Sequence, residues 1–529
     1  MLFIYISNAG GSGVSLPYNL MLICWVGVII IFLSLDQKLN VYARPQFPLI
    51  TVGGSALIIP GLIKCHNSPV VWVLLIVFLL WYGLSCLVLK SEHKRFILLS
   101  IFILALNQAA IGLIQSFTPK FAAHLFEYDW LRNNGRPYGI FQQVNLFASF
   151  LASGIGCGFL LLFMARNRGH VLGCTVGLGL LAFALALNQS RAGEIGAGVV
   201  VLALAGVYGR ETPKKTITAL AVIIVSFAAG AYITQHMIVM INGQPYLMAR
   251  DYDGSTYERW HILQITWQMI MQKPWLGWGY GSFEYEFSRY MLAHPTLPRV
   301  NNIITHPHNE LLYAWYQGGI VALSGMLVLF MGWLKIVIRA WKQQRDAVGY
   351  TLLIIPLLVH LNLEYPFYQS WVHLGLFLLL LRLGDSEKQT IVSNVTPLVR
   401  ATRMCFMLSG ILLLAFGAIS FYAQQQLTYF ERHQYENFPK PSPWYFSTQF
   451  ERAKFDAMTA LLIDYNHTHD DTNLDKFMAQ AEQWSFRHND KNVWQSMLMI
   501  EQFRGHTQKA AQLRMLYTQL FLVSAKRDE

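Results

Sequence analysis

The feature that most constrains this chain is a succession of long apolar runs separated by short polar breaks. A segment of about 20 apolar residues crosses the roughly 30 Å of hydrocarbon in a bilayer. Runs of that kind recur near 17–35, 47–63, 69–89, 95–116, 140–165, 170–189, 192–209, 216–235, 310–334, 348–362, 369–381 and 404–423. Only a structure that satisfies its own backbone hydrogen bonds persists in hydrocarbon. The expected fold class is therefore all-α, a polytopic membrane bundle of about twelve transmembrane helices. A composition of 54% hydrophobic and 13% charged residues points the same way, since no water-soluble fold needs so many apolar runs. Two runs are interrupted, 47–63 by Gly53, Gly54 and Pro60 and 348–362 by Pro356, which a bundle tolerates where neighbours satisfy the freed backbone groups. The opening stretch Met1–Ile6 is too short to cross, has no basic region or small-residue cleavage site, and is not expected to be a signal peptide. A truncated or re-entrant first element is the alternative.

Charge sets the expected orientation. Lys38 and Arg44; Lys90, Lys94 and Arg95; Arg166 and Arg168; Arg210, Lys214 and Lys215; Lys335, Arg339, Lys342 and Arg345; and Arg382, Lys388, Arg400 and Arg403 fall in every second connection. The positive-inside rule makes those connections cytoplasmic and places 117–139, 236–309, 363–368 and everything after about 424 on the opposite side. The formal net charge of +11 is thus accounted for without a nucleic-acid partner. Cys24, Cys86, Cys157, Cys174 and Cys405 lie in apolar runs and Cys65 near an outer loop, without metal-ligand spacing, so they read as small hydrophobes.

The chain changes character after Gln424, where charges and Gln become frequent and Pro439, Pro441 and Pro443 break the pattern. Helical periodicity resumes near 443–463, 472–486, 490–503 and 506–524, with Phe450 and Lys454, or Trp494, Met497 and Leu498, sharing faces. The expected division is 1–235, transmembrane; 236–309, a large outer loop; 310–423, transmembrane; and 424–529, an outer α-helical domain resembling tetratricopeptide hairpins. That domain lacks a strict repeat signature. A structural cap and a partner-binding surface both fit it.

Ionisable groups against a bilayer are costly and usually pair, line a cavity or act. Four clusters qualify, all on the outer side. Gly135–Asn145 offers Arg136, Gln142 and Asn145 where a loop enters a helix. Asn188–Glu194 holds Arg191 in a turn between two apolar runs, where it can pair with Glu194, reach headgroups or present a planar donor fork to a phosphate. The third begins at Arg259, at the start of an amphipathic helix with Trp260, Leu263, Trp267, Ile270 and Met271 on one face, expected to lie along the membrane surface. It continues through the Pro274–Gly281 bend to His306-Pro307-His308-Asn309-Glu310, where a helix start favours an anion. The fourth places His360 and Glu364 on one helical face before Pro366. A loop, cap or ion-pair role is the structural alternative for each. Two histidines at i, i+2 beside a proline do not match helix-borne zinc spacing, so neither a metal nor a cofactor is expected. Arginines on one face suit an anionic, partly lipidic substrate, and a nearby histidine suits proton removal from a hydroxyl.

Taken in order, Arg136-Pro-Tyr-Gly with Gln142 and Asn145, Ser190-Arg191-Ala-Gly, Arg259-Trp-His-Ile, Pro274-Trp-Leu-Gly-Trp-Gly, His308-Asn309-Glu310 and Glu364-Tyr-Pro resemble the O-antigen ligase and polymerase superfamily of bacterial membrane glycosyltransferases. The resemblance covers 1–425 and is greatest to its protein-glycosylating branch, the pilin O-oligosaccharyltransferases, whose helical extension the terminal region also resembles. It implies transfer of a preassembled oligosaccharide from undecaprenyl diphosphate, on the outer face of the inner membrane, to an acceptor hydroxyl. It further implies that His308 is the catalytic histidine and that Arg191 and Arg259 engage the diphosphate. Gln143-Val144-Asn145-Leu146 departs from the familiar Gln-Pro-Asn-His continuation, which leaves Gln142 and Asn145 available but not residue 146. A pilin or other exported protein is the expected acceptor. A lipid A–core ligase, a repeat-unit polymerase and, as a non-enzyme, a transporter or flippase are the alternatives.

Overall fold

The computed structural model describes residues 4–8, 13–36, 41–42, 47–65, 68–248, 253–297, 303–343, 345–384, 391–392 and 397–521. Lys38, Arg44 and Lys388 of the basic loops, and the first three residues of the opening stretch, lie outside them. The first half contains α1 (Pro17–Leu35), α2 (Pro48–Lys64), α3 (Pro69–Cys86), α4 (Ser91–Phe117), α5 (Pro119–Phe126), α6 (Trp130–Asn133), α7 (Val144–Met164), α8 (Arg168–Asn188), α9 (Arg191–Tyr208) and α10 (Pro213–His236). The two-residue strands β1 (Val41–Tyr42) and β4 (Ile391–Val392) pair, and β2 (Ile238–Ile241) with β3 (Gln244–Leu247) forms a hairpin after α10. Next come α11 (Asp253–Gln272), α12 (Phe283–Ala293), α13 (Glu310–Gln343), α14 (Arg345–Leu352), α15 (Ile355–Leu361), α16 (Pro366–Gln369), α17 (Trp371–Leu383) and α18 (Pro397–Arg432). The chain closes with α19 (Phe450–Thr468), α20 (Asp471–Ser485), α21 (Lys491–Phe503) and α22 (Thr507–Phe521).

Among the described residues, nine helices are long and apolar enough to cross a membrane: α1, α3, α4, α7, α8, α9, α10, α13 and α18. Three shorter apolar helices, Pro48–Lys64, Ala347–Leu361 and Trp371–Leu383, accompany them. The chain is thus an all-α, multi-pass membrane protein. Pro60 sits inside α2 without ending it, whereas Pro356 falls in the first turn of α15, where a missing N–H costs nothing, and the run there divides after Leu352. The core of the bundle is α7, buried along nearly its whole length among α4, α8 and α9.

The connections form two groups. Arg432 pairs with Glu127, and Tyr5 and Ser7 also donate to Glu127, at 3.1 and 2.5 Å. In the other group Arg403 donates to the Asp36 carbonyl at 2.8 Å, Lys215 to the Ala165 carbonyl at 2.7 Å, and Arg382 to the Leu84 carbonyl at 3.0 Å. Connections read from charge as lying on one side therefore meet one another.

Two close approaches set the position of α13. Gly53 of α2 faces Gly325 of α13 so tightly that a Cβ on Gly325 would lie 2.8 Å from the Gly53 carbonyl oxygen, the small-residue contact that draws membrane helices together. Nearer its start, α13 is kinked at Gly319, whose φ is +64°, and a Cβ there would strike the Trp275 carbonyl. The Pro274–Gly281 bend fills that kink: Trp278 N–H donates to the Tyr316 carbonyl at 2.7 Å and Gly279 N–H to that of Gln317 at 3.1 Å. The Trp278 indole reaches back to the Met269 carbonyl of α11 at 2.7 Å. This lacing fixes the start of α13 against α11.

Three local features differ from expectation. A hairpin with Asn242 and Gly243 at its tip, both at positive φ, lies where no strand was expected; an Asn-Gly pair suits such a turn. The face of α11 packed on the protein is Ile262, Ile265, Met269 and Ile270, while Trp260, Trp267 and Met271 are exposed. Ile270 thus leaves the apolar set read from spacing, because α11 has apolar residues on both sides. Phe450, read as part of an apolar face with Lys454, is also exposed, while Phe446 in the preceding 3-10 turn is buried. Of Trp494, Met497 and Leu498, read as sharing a face, the first two are buried and Leu498 is partly buried.

The terminal helices α19–α22 pack each on the next and lean on α12, where the Asn489 N–H donates to Glu284 at 2.6 Å and its side chain to Ser288 at 2.7 Å. At their root, Glu431 accepts two bonds from Arg452, at 2.7 and 2.8 Å, beside the buried Asp456. Burial first, then the Glu431 charge, raises the Asp456 carboxyl from 3.8 to about 8.

Two outcomes follow. Gly325→Val should destabilise the protein in detergent by the overpacking cost of about 1–3 kcal/mol, seen as a lower thermal midpoint, whereas Gly198→Val, with nothing within 4 Å of its Cβ, should leave the midpoint within error. Because Asp456 holds its proton in the folded protein and releases it when unfolded, its contribution is complete below about pH 4 and gone once pH has risen through about 8. Thermal unfolding of Asp456→Asn should therefore show a gain over the parent that grows from pH 5 to pH 9, and a flat difference would refute the assignment.

Candidate active site

The site is organised by Glu364. The α15 helix ends at Leu361, and the Glu364 N–H still donates to the His360 carbonyl at 2.8 Å before Pro366 starts a new turn. This turns the Glu364 side chain into the protein, where it is 7% exposed. One carboxylate oxygen accepts from Asn145 Nδ2 at 3.0 Å and from the Arg259 guanidinium; the other faces His308 Nδ1 at 3.1 Å. Asn145 is itself held by the Ser190 hydroxyl, which donates to its Oδ1 at 2.8 Å. Residues from all four clusters read in the sequence therefore meet through one carboxylate.

Electrostatics favour the ionised form. Burial pushes the Glu364 carboxyl up, but the His308 hydrogen bond and then the Arg259 charge more than offset it, so it titrates below the ordinary range. An ionised carboxylate only accepts, so the proton in this contact sits on His308 Nδ1, and in the neutral imidazole the lone pair is then on Nε2. The His308 side chain is 19% exposed.

The remaining candidates fall nearby or elsewhere. Arg191 opens α9 and donates to the Thr256 hydroxyl at 2.9 Å, one turn before Arg259 on α11, so both arginines lie at the same end of that helix. Asn309 caps α13 by accepting the Leu312 N–H at 3.0 Å. Glu310 accepts the Tyr368 hydroxyl at 2.9 Å and faces His306 Nε2 at 3.1 Å. Three predicted residues serve other networks. Arg136 donates to the carbonyls of Asn188 and Gln189 at the end of α8, at 2.9 and 3.4 Å. Gln142 donates to Tyr5 at 3.0 Å, and His360, buried, faces Ser149 at 2.7 Å. His360 and Glu364 stay joined by the Glu364 N–H to His360 carbonyl bond, but their side chains take different partners.

Ser190, Thr256 and Tyr368 were not singled out from the sequence. Ser190 stands beside Arg191 in a named motif, and Tyr368 follows the Glu364-Tyr-Pro turn by two residues, but only their partners mark them. Beside Glu310 and Tyr368 a groove of 1610 Å³ opens and runs between α2, α3, α13 and α17 past Val77, Phe330, Trp333 and Leu374. Among the described residues, no group of three or more His, Cys, Asp and Glu is placed to hold a metal ion.

Asn145 and Glu364 should be coupled. A double-mutant cycle of Asn145→Ala with Glu364→Gln, read by thermal unfolding, should give an interaction energy in the range of about 0.5–3 kcal/mol, and strict additivity would mean the two do not share a network.

Residues 176–327, which include Arg191, Arg259 and His308, match the family described as O-Antigen ligase. Residues 349–528, which include Glu364 and the terminal helices, match the family described as virulence factor membrane-bound polymerase, C-terminal. The chain is also 26% identical over 142 residues to a protein of Salmonella typhimurium named O-antigen ligase, an alignment covering 26% of this chain and 33% of that relative. The matched segment thus spans about a third of the relative's length. These matches fall on the two segments that the His308–Glu364 contact joins, and the chain belongs to the O-antigen ligase superfamily of multi-pass membrane proteins.

Proposed function

We propose that this protein transfers a preassembled oligosaccharide from undecaprenyl diphosphate to a Ser or Thr hydroxyl of an exported protein such as a type IV pilin. The observation that carries the transfer chemistry is the His308 imidazole held through Nδ1 by a buried carboxylate that also engages Arg259. His308 Nε2 removes the proton of the acceptor hydroxyl as its oxygen forms a bond to the anomeric carbon. The bond from that carbon to the diphosphate oxygen breaks, and its electron pair leaves with the lipid diphosphate. Arg259 and Arg191, at one end of α11, stabilise that charge, and the low dielectric beside the bilayer strengthens the effect. Attack opposite the leaving group inverts the anomeric centre. The apolar groove beside Glu310 suits the lipid tail, and no metal is assigned a step.

On this reading the site and residues 424–529 face the periplasm from the inner membrane. Residues 236–309 form the catalytic loop between the transmembrane blocks 1–235 and 310–423. Asn145 and Glu364 orient the base, and Asn309 and Glu310 shape the approach to it. The protein acceptor is supported by the resemblance carried by Gly135–Asn145 and by the helical region leaning on α12. A second reading, a lipid A–core ligase or repeat-unit polymerase, is favoured by the names of the matched relative and families.

With purified protein and an undecaprenyl-diphosphate-linked oligosaccharide, His308→Ala should lower turnover by about 10²–10⁴-fold with donor binding retained, and Arg259→Lys should weaken both. A His308→Ala rate near the parent's, or retention at the anomeric carbon, removes the mechanism. Deleting the gene should remove the glycan from pilin by intact mass and spare the lipopolysaccharide ladder. Loss of the ladder with all protein glycoforms intact would establish the second reading.

A further inference from the structure

His306, two residues before the base, is not explained by the transfer chemistry. Its ring is 2% exposed and enclosed by Tyr313, Tyr365 and Tyr368, with centroid separations of 4.3, 4.9 and 5.5 Å. Both nitrogens are engaged: Nδ1 accepts the His308 backbone N–H at 2.9 Å, and Nε2 faces Glu310 at 3.1 Å. The other Glu310 oxygen accepts from Tyr368 at 2.9 Å. His308 has φ +59°, in the left-handed region that a side chain with a Cβ rarely adopts.

We propose that His306 is a positioning residue that locks the left-handed backbone of His308, and so aims the imidazole of His308 between Glu364 and the acceptor. This rests on the transfer reading above and deepens it. Pro307 has no N–H, so the first donor after His306 is that of His308, and an acceptor two residues upstream closes the turn around it. An Nδ1 that accepts requires the proton on Nε2, which the Glu310 carboxylate takes as acceptor, with Tyr368 fixing that carboxylate. Burial disfavours the charged imidazole and drives His306 below its ordinary range despite Glu310, which preserves the neutral tautomer that the turn needs. Without the acceptor, the His308 N–H has no partner in the turn and the backbone relaxes toward ordinary φ. The imidazole then leaves the line between Glu364 and the reacting hydroxyl, and a displacement of about 1 Å costs on the order of 10²-fold in rate.

The test compares His306→Phe, which fills the aromatic enclosure without an acceptor, with His306→Asn, whose Oδ1 can accept an N–H two residues on. Initial rates use the undecaprenyl-diphosphate-linked oligosaccharide and a serine-containing acceptor peptide or lipid A–core, whichever the parent glycosylates. His306→Phe should lose about 30–100-fold in kcat with both KM values within about twofold, and His306→Asn should recover at least about tenfold of that loss. Equal rates for Phe and Asn, or a Phe variant at parental kcat while His308→Ala is inactive, would overturn the positioning role and leave the transfer reading standing. A fully active His308→Ala would overturn the transfer reading itself. If His306→Phe does not fold, 15N-histidine NMR of the parent decides: the signal absent from His306→Asn must be a neutral ring protonated at Nε2, and protonation at Nδ1 refutes the proposal.

Discussion

An ionised carboxylate withdrawn from water is costly unless charges and donors around it repay its lost hydration, and removing one partner from such a group leaves the charge exposed to that cost. Glu364 is in that position. Its partners, Asn145, Arg259 and His308, come from the start of α7, from α11 and from the loop before α13, and Ser190 joins through Asn145. The site thus depends on an anion that no single segment can satisfy. Each partner is held by the same charge that fixes the others, which places an imidazole, a guanidinium and an amide at fixed angles.

The rest of the structure supplies the geometry this requires. The Gly53–Gly325 approach seats α13 in the bundle, and the kink at Gly319 accepts the Pro274–Gly281 bend, which in turn holds the end of α11. Arg259 on α11 and His308 before α13 are therefore related by backbone contacts that do not involve the site. The distance from guanidinium to imidazole is set before any substrate arrives, the preorganisation that makes an electrostatic site effective.

Nearby polar residues divide the work. Arg136 satisfies the carbonyl end of α8, Gln142 joins the N-terminal segment through Tyr5, and Asn309 caps α13. They hold the elements that carry the site rather than touching its carboxylate. The terminal helices reach the same region through Asn489, which bonds Glu284 and Ser288 on α12.

The apolar runs were sufficient to read the membrane bundle, because a span of hydrocarbon imposes length and apolarity on each helix separately. The alternation of basic loops likewise revealed which connections meet. Costly polar residues at helix ends marked Asn145, Arg259, His308 and Glu364, but in four separate clusters and together with Arg136, Gln142 and His360, which serve other networks. Tertiary structure alone decided that Glu364 contacts His308 while His360, one turn earlier, faces Ser149. It also decided the inward face of α11, where apolar side chains on both sides leave periodicity without a preference. The same holds for the left-handed backbone of His308, set by a hydrogen bond to His306 inside a ring of tyrosines drawn from α13 and from the segment around α16. Such a bond depends on which partners are brought within 3 Å, and that is a property of packed elements that spacing along a chain does not carry.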